Sequence, residues 1–442
     1  MGESMTILDI IEKKRTKQEL TTEEINFFVQ GFTEGSVRDY QMSSLLMAIC
    51  LNGMTDRETF DLTNAMLHSG DIVDMSELDK IVCDKHSTGG IGDSTTLALA
   101  PILAWCGVYV AKMSGRGLGF TGGTIDKLES IPGFDTSLSE QEFFNVVKKV
   151  GCCVIGQTAN LAPADKKMYA LRDVTGTVQS IPLICGSIMS KKLASGSDVI
   201  LLDVKYGSGA FMSTKEEALE LAKKMVEIGT RAGKKVGALI TDMQQPLSDH
   251  VGNALEIIGI IDVLDGKQNR LYHELKEVAV RLLVLSGKCK TREDAVCAFD
   301  YAIESEGALN KFAEMVKAQH GDSSYILHPE KFQLGQTHKV LAQSSGYVTG
   351  MNAADIGRAV TLLGGGRMTK EDVIDFSVGV VMSVEIGSKV EKGDTLCTIY
   401  HNDKNLATAE QMLQNAIFIG DTQPEPHKIA YAFVSKDGVE LY

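Results

Sequence analysis

The sequence predicts an α/β protein with a small all-helical lobe, a large α/β lobe with a mainly parallel sheet, and a C-terminal α+β domain with a β hammerhead. Three observations predict this fold. Helical patterns fill roughly the first seventy residues, apolar strand-like runs then alternate with amphipathic helices, and the pattern changes once more from about Gln336. The chain has 442 residues, which suffices for about three domains of ~150 residues each.

The N-terminal helices carry capping boxes. Thr21 stands three residues before Glu24, and Thr55 stands three residues before Glu58, each ahead of an apolar helical repeat. A polar, helix-forming insert follows at 160–193, and we predict that it rejoins these helices. The predicted domains are a helical lobe over 1–70 rejoined by 160–195, an α/β phosphate-binding lobe over 71–159 and 196–335, and a C-terminal domain over 336–442.

Five apolar runs that end in polar residues are predicted as strands: IVCDKH, VYVAKMS, CCVIGQT, VILLDVKYGSG and GALITDM. A helix predicted over 214–228 starts with a further Thr-x-x-Glu cap. Ligands of parallel sheets bind beyond the carboxyl ends of the strands. The polar residues expected there are Lys85, His86, Lys112, Ser114, Asp203, Lys205 and Asp242.

The tail contains SVGVVMSVEIGSKVEKGDTLCTIY, in which alternating apolar residues are separated by glycine turns. This pattern predicts the strands of the β hammerhead. It resembles biotin and lipoyl carrier modules, but it has no acceptor lysine flanked by methionines. We therefore expect the tail to be structural.

Two glycine-rich turns are the main functional signal. DKHSTGGIGDSTT covers 84–96 and AKMSGRGLGFTGGT covers 111–124, and each follows a strand-like run and opens a helix-like one. Glycine lets the backbone approach an anion closely, and amide groups at the start of a helix favour negative charge. Lysine and hydroxyl side chains lie within both turns. The two turns together predict a site that binds phosphate from both sides.

The charge balance agrees with a small anionic ligand. The chain has 44 basic and 58 acidic residues and a net charge of −14, which argues against a general nucleic-acid surface. Nine scattered cysteines without paired CxxC spacing predict a reducing, cytoplasmic setting. The sequence has no apolar run as long as a membrane span, so no membrane partner is expected.

Other interpretations compete for these residues. Gly117 to Gly122 matches GxGxxG, but a dinucleotide site also needs an acidic residue about 20 positions further on, where the chain has the loop-like IPGFDTSLSEQE. His86 alone would be an ordinary loop histidine, although its place between Lys85 and Ser87 favours function. Arg172 and Lys191 fit a solvated helix face as well as a binding site.

Six motifs in order resemble the thymidine/pyrimidine-nucleoside phosphorylase family over essentially the whole chain: DKHSTGGIGDSTT, AKMSGRGLGFTGGTIDKLESIPGF, ADKKMYALRDVTGTV, SIMSKK, DVKYGSGAFM and QPLSDHVGNALE. The resemblance implies a helical lobe and an α/β lobe that enclose the site, and a homodimer. It also implies phosphorolysis of uridine, thymidine or deoxyuridine to the free base and a pentose 1-phosphate, with phosphate as co-substrate and no organic cofactor.

The family's functional residues transfer onto matching positions. For phosphate the resemblance implies Lys85, His86, Ser87, Thr96, Lys112, Met113, Ser114 and Thr124. For the pyrimidine it implies His86, Arg172, Ser187 and Lys191, with catalytic roles for His86, Arg172 and Lys191. A pyrimidine ring offers two carbonyl acceptors and an N–H, which suits this donor set.

Two alternatives stay open beside this resemblance. One is a strict thymidine phosphorylase. In the family a methionine at the position of Lys112 accompanies that restriction, so Lys112 favours the broader activity. The other is a phosphoribosyltransferase of related fold, which would require Mg²⁺ and phosphoribosyl pyrophosphate. A dehydrogenase would instead bind a nicotinamide dinucleotide, and a carrier-like scaffold would have no turnover.

Three positions depart from the family pattern. Phe120 replaces a histidine, and Tyr206 replaces a smaller residue. Gly259 stands where the family supplies a glutamate to a bound potassium ion. The other ligands implied for potassium are Gly92, Ser94, Leu247 and His250. Without the carboxylate we expect potassium to matter less than in relatives that keep it.

Overall fold

A computed structural model of the chain describes residues 5–117, 122–157, 160–369 and 371–442. Phe120 and Thr121 of the second glycine-rich turn lie outside the described residues. The chain divides into two compact units. The first, the helical unit, comprises Met1–Glu77, Gln157–Ser197 and Glu220–Val236, and the second, the sheet unit, comprises Leu78–Gly156, Asp198–Leu219 and Gly237–Tyr442. The division into three domains stays a prediction.

The described residues contain seventeen α-helices: α1 Ile7–Arg15, α2 Thr22–Glu34, α3 Asp39–Asn52, α4 Asp56–Leu67, α5 Thr95–Trp105, α6 Thr124–Leu128, α7 Glu140–Val150, α8 Pro163–Thr175, α9 Ile181–Ala194, α10 Lys215–Arg231, α11 Asn253–Leu264, α12 Arg270–Ser286, α13 Arg292–Glu304, α14 Gly307–Ala318, α15 Ser324–Leu327, α16 Ala353–Val360 and α17 Leu406–Ala416. None of these helices, within the described ranges, is both long and apolar enough to cross a membrane.

The same residues contain fourteen strands: β1 Cys83–Ser87, β2 Val110–Ser114, β3 Cys152–Gly156, β4 Val199–Tyr206, β5 Lys235–Asp242, β6 His250–Val251, β7 Gln336–Leu341, β8 Gly346–Met351, β9 Gly379–Met382, β10 Lys389–Val390, β11 Thr395–His401, β12 Ile417–Gly420, β13 Ala430–Ser435 and β14 Gly438–Leu441. All five runs predicted as strands form β1 to β5, and the mixed α/β fold class is confirmed.

The helical unit forms where the capping signals predict helices. The Thr21 hydroxyl accepts a hydrogen bond from the Glu24 N–H and thereby starts α2, and Thr55 starts α4 in the same way through Glu58. Apolar side chains of α1 to α4 pack with residues of α8 and α9 into one core. Glu58 is buried in this core, and its carboxylate accepts a 2.8 Å hydrogen bond from Lys14 Nζ.

The sheet unit is built on a five-stranded sheet in the order β1-β4-β5-β13-β14. Strands β1 and β4 run parallel, with Lys85 opposite Leu201 and Ser87 opposite Asp203. Strands β2 and β3 form a separate parallel pair. The C-terminal strand β13 pairs antiparallel with β5, so the end of the chain adds an antiparallel edge to this sheet.

The tail supplies two antiparallel sheets, in the orders β6-β9-β11-β7 and β10-β8-β12. Strand β6 precedes the tail by about eighty residues in the sequence, and His250 in this strand pairs with Val381 of β9. The tail is therefore joined to the rest of the sheet unit by strand pairing at two places, β6 with β9 and β5 with β13.

Candidate active site

The first glycine-rich turn connects β1 to α5. Gly89 has a φ of 100°, a conformation that glycine adopts without strain, and its N–H donates to the Ser87 hydroxyl over 3.1 Å. At the other end of the turn the Asp93 carboxylate accepts a 3.2 Å hydrogen bond from the Thr95 N–H at the start of α5. Thr96 is the second residue of that helix. The turn thus connects the end of β1 to the start of α5, which is the strand–turn–helix order that the sequence predicts.

Lys85 lies in β1 with a side chain that is only 2% exposed. Its Nζ lies 2.8 Å from Asp203 Oδ2 and 3.6 Å from Asp93 Oδ1. Despite these ion pairs, Nζ has no aligned hydrogen-bond acceptor among the described residues. A buried ammonium with three N–H donors and no aligned acceptor is suited to bind an anion. His86 follows it, is half-buried, and lies opposite Leu202 in the strand register.

A buried charge network lies behind Lys85. Lys205 Nζ lies 2.8 Å from Asp203 and also donates to Glu274, whose carboxylate accepts a 3.2 Å hydrogen bond from Thr95 Oγ1. One carboxylate oxygen from each of Asp93, Asp203 and Glu274 lies within 4.8 Å of the other two. Carboxylate oxygens are common ligands of divalent cations. The two ammonium groups already provide the opposite charge, so this cluster forms a network of ion pairs.

Two carboxylates of this network have pKa values that are shifted in opposite directions. Burial and the negative charge of Asp203 raise the pKa of Glu274 to about 8. Burial also acts to raise the pKa of Asp93, but the positive charges of Lys85 and Lys205 outweigh it and hold that pKa well below the ordinary value. The network can therefore change its net charge by one proton near neutral pH, at Glu274.

The second glycine-rich turn connects β2 to α6. Lys112 extends from β2 to β1, where its Nζ donates to Asp84 Oδ1 over 2.8 Å and to the Lys85 carbonyl over 2.6 Å. Met113 is buried next to it, Ser114 is the half-buried last residue of β2, and Thr124 is the half-buried first residue of α6. Lys112 therefore supports the backbone of Lys85 directly.

Arg172 lies in the helical unit, on α8. Its guanidinium donates to three backbone carbonyls, those of Thr177 over 3.1 Å, Leu183 over 3.1 Å and Val178 over 2.7 Å. Burial lowers the pKa of Arg172 from its ordinary value. A guanidinium has five donors, and here three of them fix the segment between α8 and α9. The structure thus excludes a solvated helix face as the setting of Arg172.

Lys191 and Ser187 lie one helical turn apart on α9 in the same unit. Lys191 Nζ donates to the Ser187 hydroxyl over 3.1 Å and to Asp165 over 2.6 Å, and its side chain is 22% exposed. Lys191 and Arg172 lie 5.9 Å and 5.7 Å from the centre of the Tyr169 ring. The structure brings together the three residues predicted to bind the pyrimidine in this unit.

Three residues that contact the predicted site residues were not predicted from the sequence. Asp165 and Tyr169 share one face of α8 with Arg172, and their i, i+4, i+7 spacing within the quoted motif could have shown this. Glu274 occupies a buried position of α12 between Leu271 and Leu275. A carboxylate on the apolar face of a helix was its only signal.

The predicted strand-end residue Asp242, and Tyr206, which departs from the family pattern, contact partners other than Lys85. Asp242 is fully buried and accepts a 2.9 Å hydrogen bond from Arg270. Tyr206 packs edge-on against Tyr431 with ring centres 6.5 Å apart, and Lys215 lies over both rings. Tyr206 therefore joins the β4 strand to the C-terminal strand β13.

The residues implied for potassium lie close together, since the Gly92 carbonyl accepts a 3.2 Å hydrogen bond from the Ser248 N–H.

Three family descriptions match the chain. "Glycosyl transferase family, helical bundle domain" matches residues 8–70, "Glycosyl transferase family, a/b domain" matches residues 79–309, and "Pyrimidine nucleoside phosphorylase C-terminal domain" matches residues 347–420. Together they cover most of the chain.

Curated relatives match over nearly the full length. The pyrimidine-nucleoside phosphorylases of Staphylococcus aureus strains bovine RF122 / ET3-1 and MSSA476 are each 51% identical over 430 residues, which are 96% of this chain and 99% of theirs. Among solved structures, anthranilate phosphoribosyltransferase from Thermus thermophilus is similar with a TM-score of 0.57 at 17% identity, over 70% of this chain and 99% of that one. At this identity the likeness shows the fold alone.

Proposed function

Because the chain belongs to the pyrimidine-nucleoside phosphorylase family, we propose that it cleaves pyrimidine nucleosides with inorganic phosphate, releasing the free base and a (deoxy)ribose 1-phosphate. One geometric observation carries the proposal. The Lys85 ammonium is buried beside a glycine-rich turn and the start of a helix, paired in charge but without an aligned acceptor among the described residues. This is a donor arrangement for an oxyanion.

The reaction needs no covalent enzyme intermediate, since phosphate is the nucleophile. A phosphate oxygen forms a bond to the anomeric carbon while the bond from that carbon to the base nitrogen breaks, and the configuration inverts. The electron pair of the broken bond stays on the base, which then takes up a proton. Lys85, Ser87, Thr96, Ser114 and Thr124 would hold and orient the phosphate.

The residues of the helical unit would act on the leaving base. Arg172 and Lys191 provide positive charge that stabilises the negative charge developing on the pyrimidine, and Ser187 provides a hydroxyl. Asp165 and Tyr169 fix the position of Lys191. His86 in the sheet unit would donate a proton or a hydrogen bond to a base carbonyl.

We further propose a homodimer formed through the helical unit. Tyr40, Met47 and Leu51 lie on one face of α3 and are 71%, 38% and 76% exposed. Leu8 of α1 adds a side chain that is 65% exposed. Apolar side chains at a helical spacing that stay accessible in one chain are typical of a face that a second copy covers.

All nine cysteines are free thiols, which supports a reducing compartment such as the cytoplasm.

The deciding experiment incubates the protein with uridine, thymidine and deoxyuridine, with and without phosphate, and measures the free base and the sugar phosphate. We expect base release from all three substrates only when phosphate is present. Equal base release in phosphate-free buffer would identify a hydrolase and contradict the proposal. A parallel incubation with Mg²⁺, phosphoribosyl pyrophosphate and free base separates this activity from that of a phosphoribosyltransferase.

A further inference from the structure

Gly259, where the family resemblance implies a glutamate ligand for potassium, faces Ser248 and His250. A Cβ added to Gly259 would lie 3.1 Å from Ser248 Oγ and 3.2 Å from both Cβ and Cγ of His250. These contacts are closer than most Cβ contacts in proteins, so the imidazole and the Ser248 hydroxyl would have to move by a few tenths of an ångström to admit a side chain at position 259. His250 therefore occupies the direction from which a carboxylate at position 259 would approach.

His250 is held in this position by several interactions. Its Nδ1 lies 2.9 Å from Asp249 Oδ1, and its N–H donates to Ser248 Oγ over 3.1 Å. Lys267 Nζ lies 2.8 Å from the other oxygen of Asp249, and Asn269 donates to the same carboxylate over 3.2 Å. We call the side chains of Ser248, Asp249, His250, Lys267 and Asn269 the histidine lock.

The backbone of the same segment is fixed by the tail. His250 and Val251 form strand β6 and pair with Val381 and Val380 of β9, and the Asp249 carbonyl accepts a 2.7 Å hydrogen bond from the Met382 N–H. The segment that would present the Leu247 and His250 carbonyls to an ion is thus ordered by protein groups.

Two of the other implied ligands, Gly92 and Ser94, are engaged by protein groups. The Gly92 carbonyl accepts hydrogen bonds from the Ser94 N–H over 3.1 Å and from the Ser248 N–H over 3.2 Å. The Ser94 hydroxyl donates to Glu256 over 2.5 Å. The Glu256 carboxylate, a neighbouring acidic group, forms a 2.6 Å ion pair with Lys127, and both side chains are only 3% exposed.

Lys127 also donates to the Asp93 carbonyl over 2.8 Å. An ammonium that is part of the chain therefore connects the first glycine-rich turn to Glu256. The Glu256 carboxylate is thus already neutralised by Lys127, and position 259 offers no further carboxylate to a bound monovalent cation. A cation that leaves water for a buried site without a compensating negative charge is destabilised.

We infer that this chain does not use potassium, and that the histidine lock orders the 247–251 segment in place of an ion. The residues present do not fit the ion that the family resemblance implies. The consequence is an enzyme whose folded stability and turnover are insensitive to the identity of the monovalent cation. The turnover part of this inference rests on the proposed function, whereas the stability part does not.

The test compares potassium chloride with tetramethylammonium chloride at fixed ionic strength, with the Tm and the rate of phosphorolysis as separate measurements. For the wild type we expect Tm values within about 1 °C of each other and rates within about twofold. A saturable rise of Tm at millimolar potassium would overturn the inference. If the protein has no phosphorolysis in either salt, the proposed function fails while the Tm comparison still decides this inference.

Two variants sharpen the test. His250→Ala combined with Gly259→Glu removes the imidazole and supplies the carboxylate, so we expect a potassium-dependent rise of Tm by several degrees. Asp249→Asn is the matched control, since it weakens the lock without supplying a ligand. Its Tm should fall equally in both salts. A potassium-dependent Tm for Asp249→Asn would show that the lock conceals an ion site that is already complete, and would contradict the inference.

Discussion

At the residue scale, the lysines of the sheet unit differ in what their ammonium groups contact. Lys205 and Lys112 donate to buried carboxylates, whereas Lys85 has ion pairs without an aligned hydrogen-bond acceptor among the described residues. Charge-assisted hydrogen bonds contribute roughly 1.5–3 kcal/mol each, so an incoming phosphate gains most at Lys85. Lys85 is therefore the lysine of these three that we expect to bind the phosphate directly.

Lys85→Met should lower kcat/KM for phosphate at least about tenfold, because one charge-assisted bond to the anion is lost. Ser114→Ala should act in the same direction with a smaller effect. Lys191→Met should instead raise KM for the nucleoside. Steady-state kinetics with each substrate varied in turn measure these effects, and Lys290→Met, which changes an exposed lysine, is the control. Indistinguishable profiles for Lys85→Met and Lys191→Met would contradict the separate roles.

Lys112→Met should lower the efficiency on uridine more than on thymidine. A lysine ammonium can donate to a ribose 2′-hydroxyl or to the neighbouring phosphate, whereas a thioether is at best a weak acceptor. The measurement is kcat/KM for both nucleosides at saturating phosphate. Equal losses on both would mean that Lys112 acts on phosphate or on the position of Lys85 alone.

The same variant removes the ammonium that Asp84 contacts in the core, and breaking a buried ion pair costs about 3–5 kcal/mol. We therefore also expect a lower Tm for Lys112→Met. Asp84→Asn combined with Lys112→Met removes the charge from both partners and should recover part of that stability. The recovered variant allows the selectivity to be measured on a folded protein.

At the scale of elements, helix α12 places the protonatable carboxyl group of Glu274 in the network behind Lys85. The pKa of Glu274 rises from its usual 4.5 to about 8, so the folded protein keeps a proton that the unfolded chain releases above pH 4.5. The free energy of unfolding therefore decreases as pH rises from about 4.5 through about 8. Other groups also titrate in this range, so the contribution of Glu274 must be isolated by substitution.

Glu274→Gln should remove this component, since the amide is neutral at every pH. Wild type and variant should have similar free energies of unfolding near pH 4, where Glu274 is protonated in both states, and the variant should be the more stable of the two at pH 9. Urea unfolding at both pH values measures the difference. A wild type that gains stability over the variant towards pH 9 would show that Glu274 is ionised and paired, contrary to the raised pKa.

At the scale of the whole molecule, the exposed apolar face of α3 predicts self-association. Leu51→Glu combined with Tyr40→Glu should shift the protein from dimer to monomer, because charges would be buried against the partner. Light scattering coupled to size-exclusion chromatography measures the mass. Leu327→Glu changes an exposed leucine on α15 in the sheet unit and should leave the mass unchanged. A dimeric double variant would place the interface elsewhere.

The sequence by itself determined the fold class, the strands β1 to β5 and the helix starts at Thr21 and Thr55. These features follow from local patterns, since alternation of apolar runs and side-chain capping act within a few residues. The two glycine-rich turns and the six motifs also identified the family. The sequence also indicated which charged residues lie in or next to the turns, because this depends only on their positions along the chain.

Only the tertiary structure decided which partner each charge has. Lys205 contacts Glu274, which is 69 residues away in sequence, and Ser94 contacts Glu256, which is 162 residues away. His250 and Gly259 fit together only because β6 and α11 place them side by side. Local patterns carry no information on such pairs, because the chain path through the sheet brings them together and burial then makes each charge depend on its neighbour.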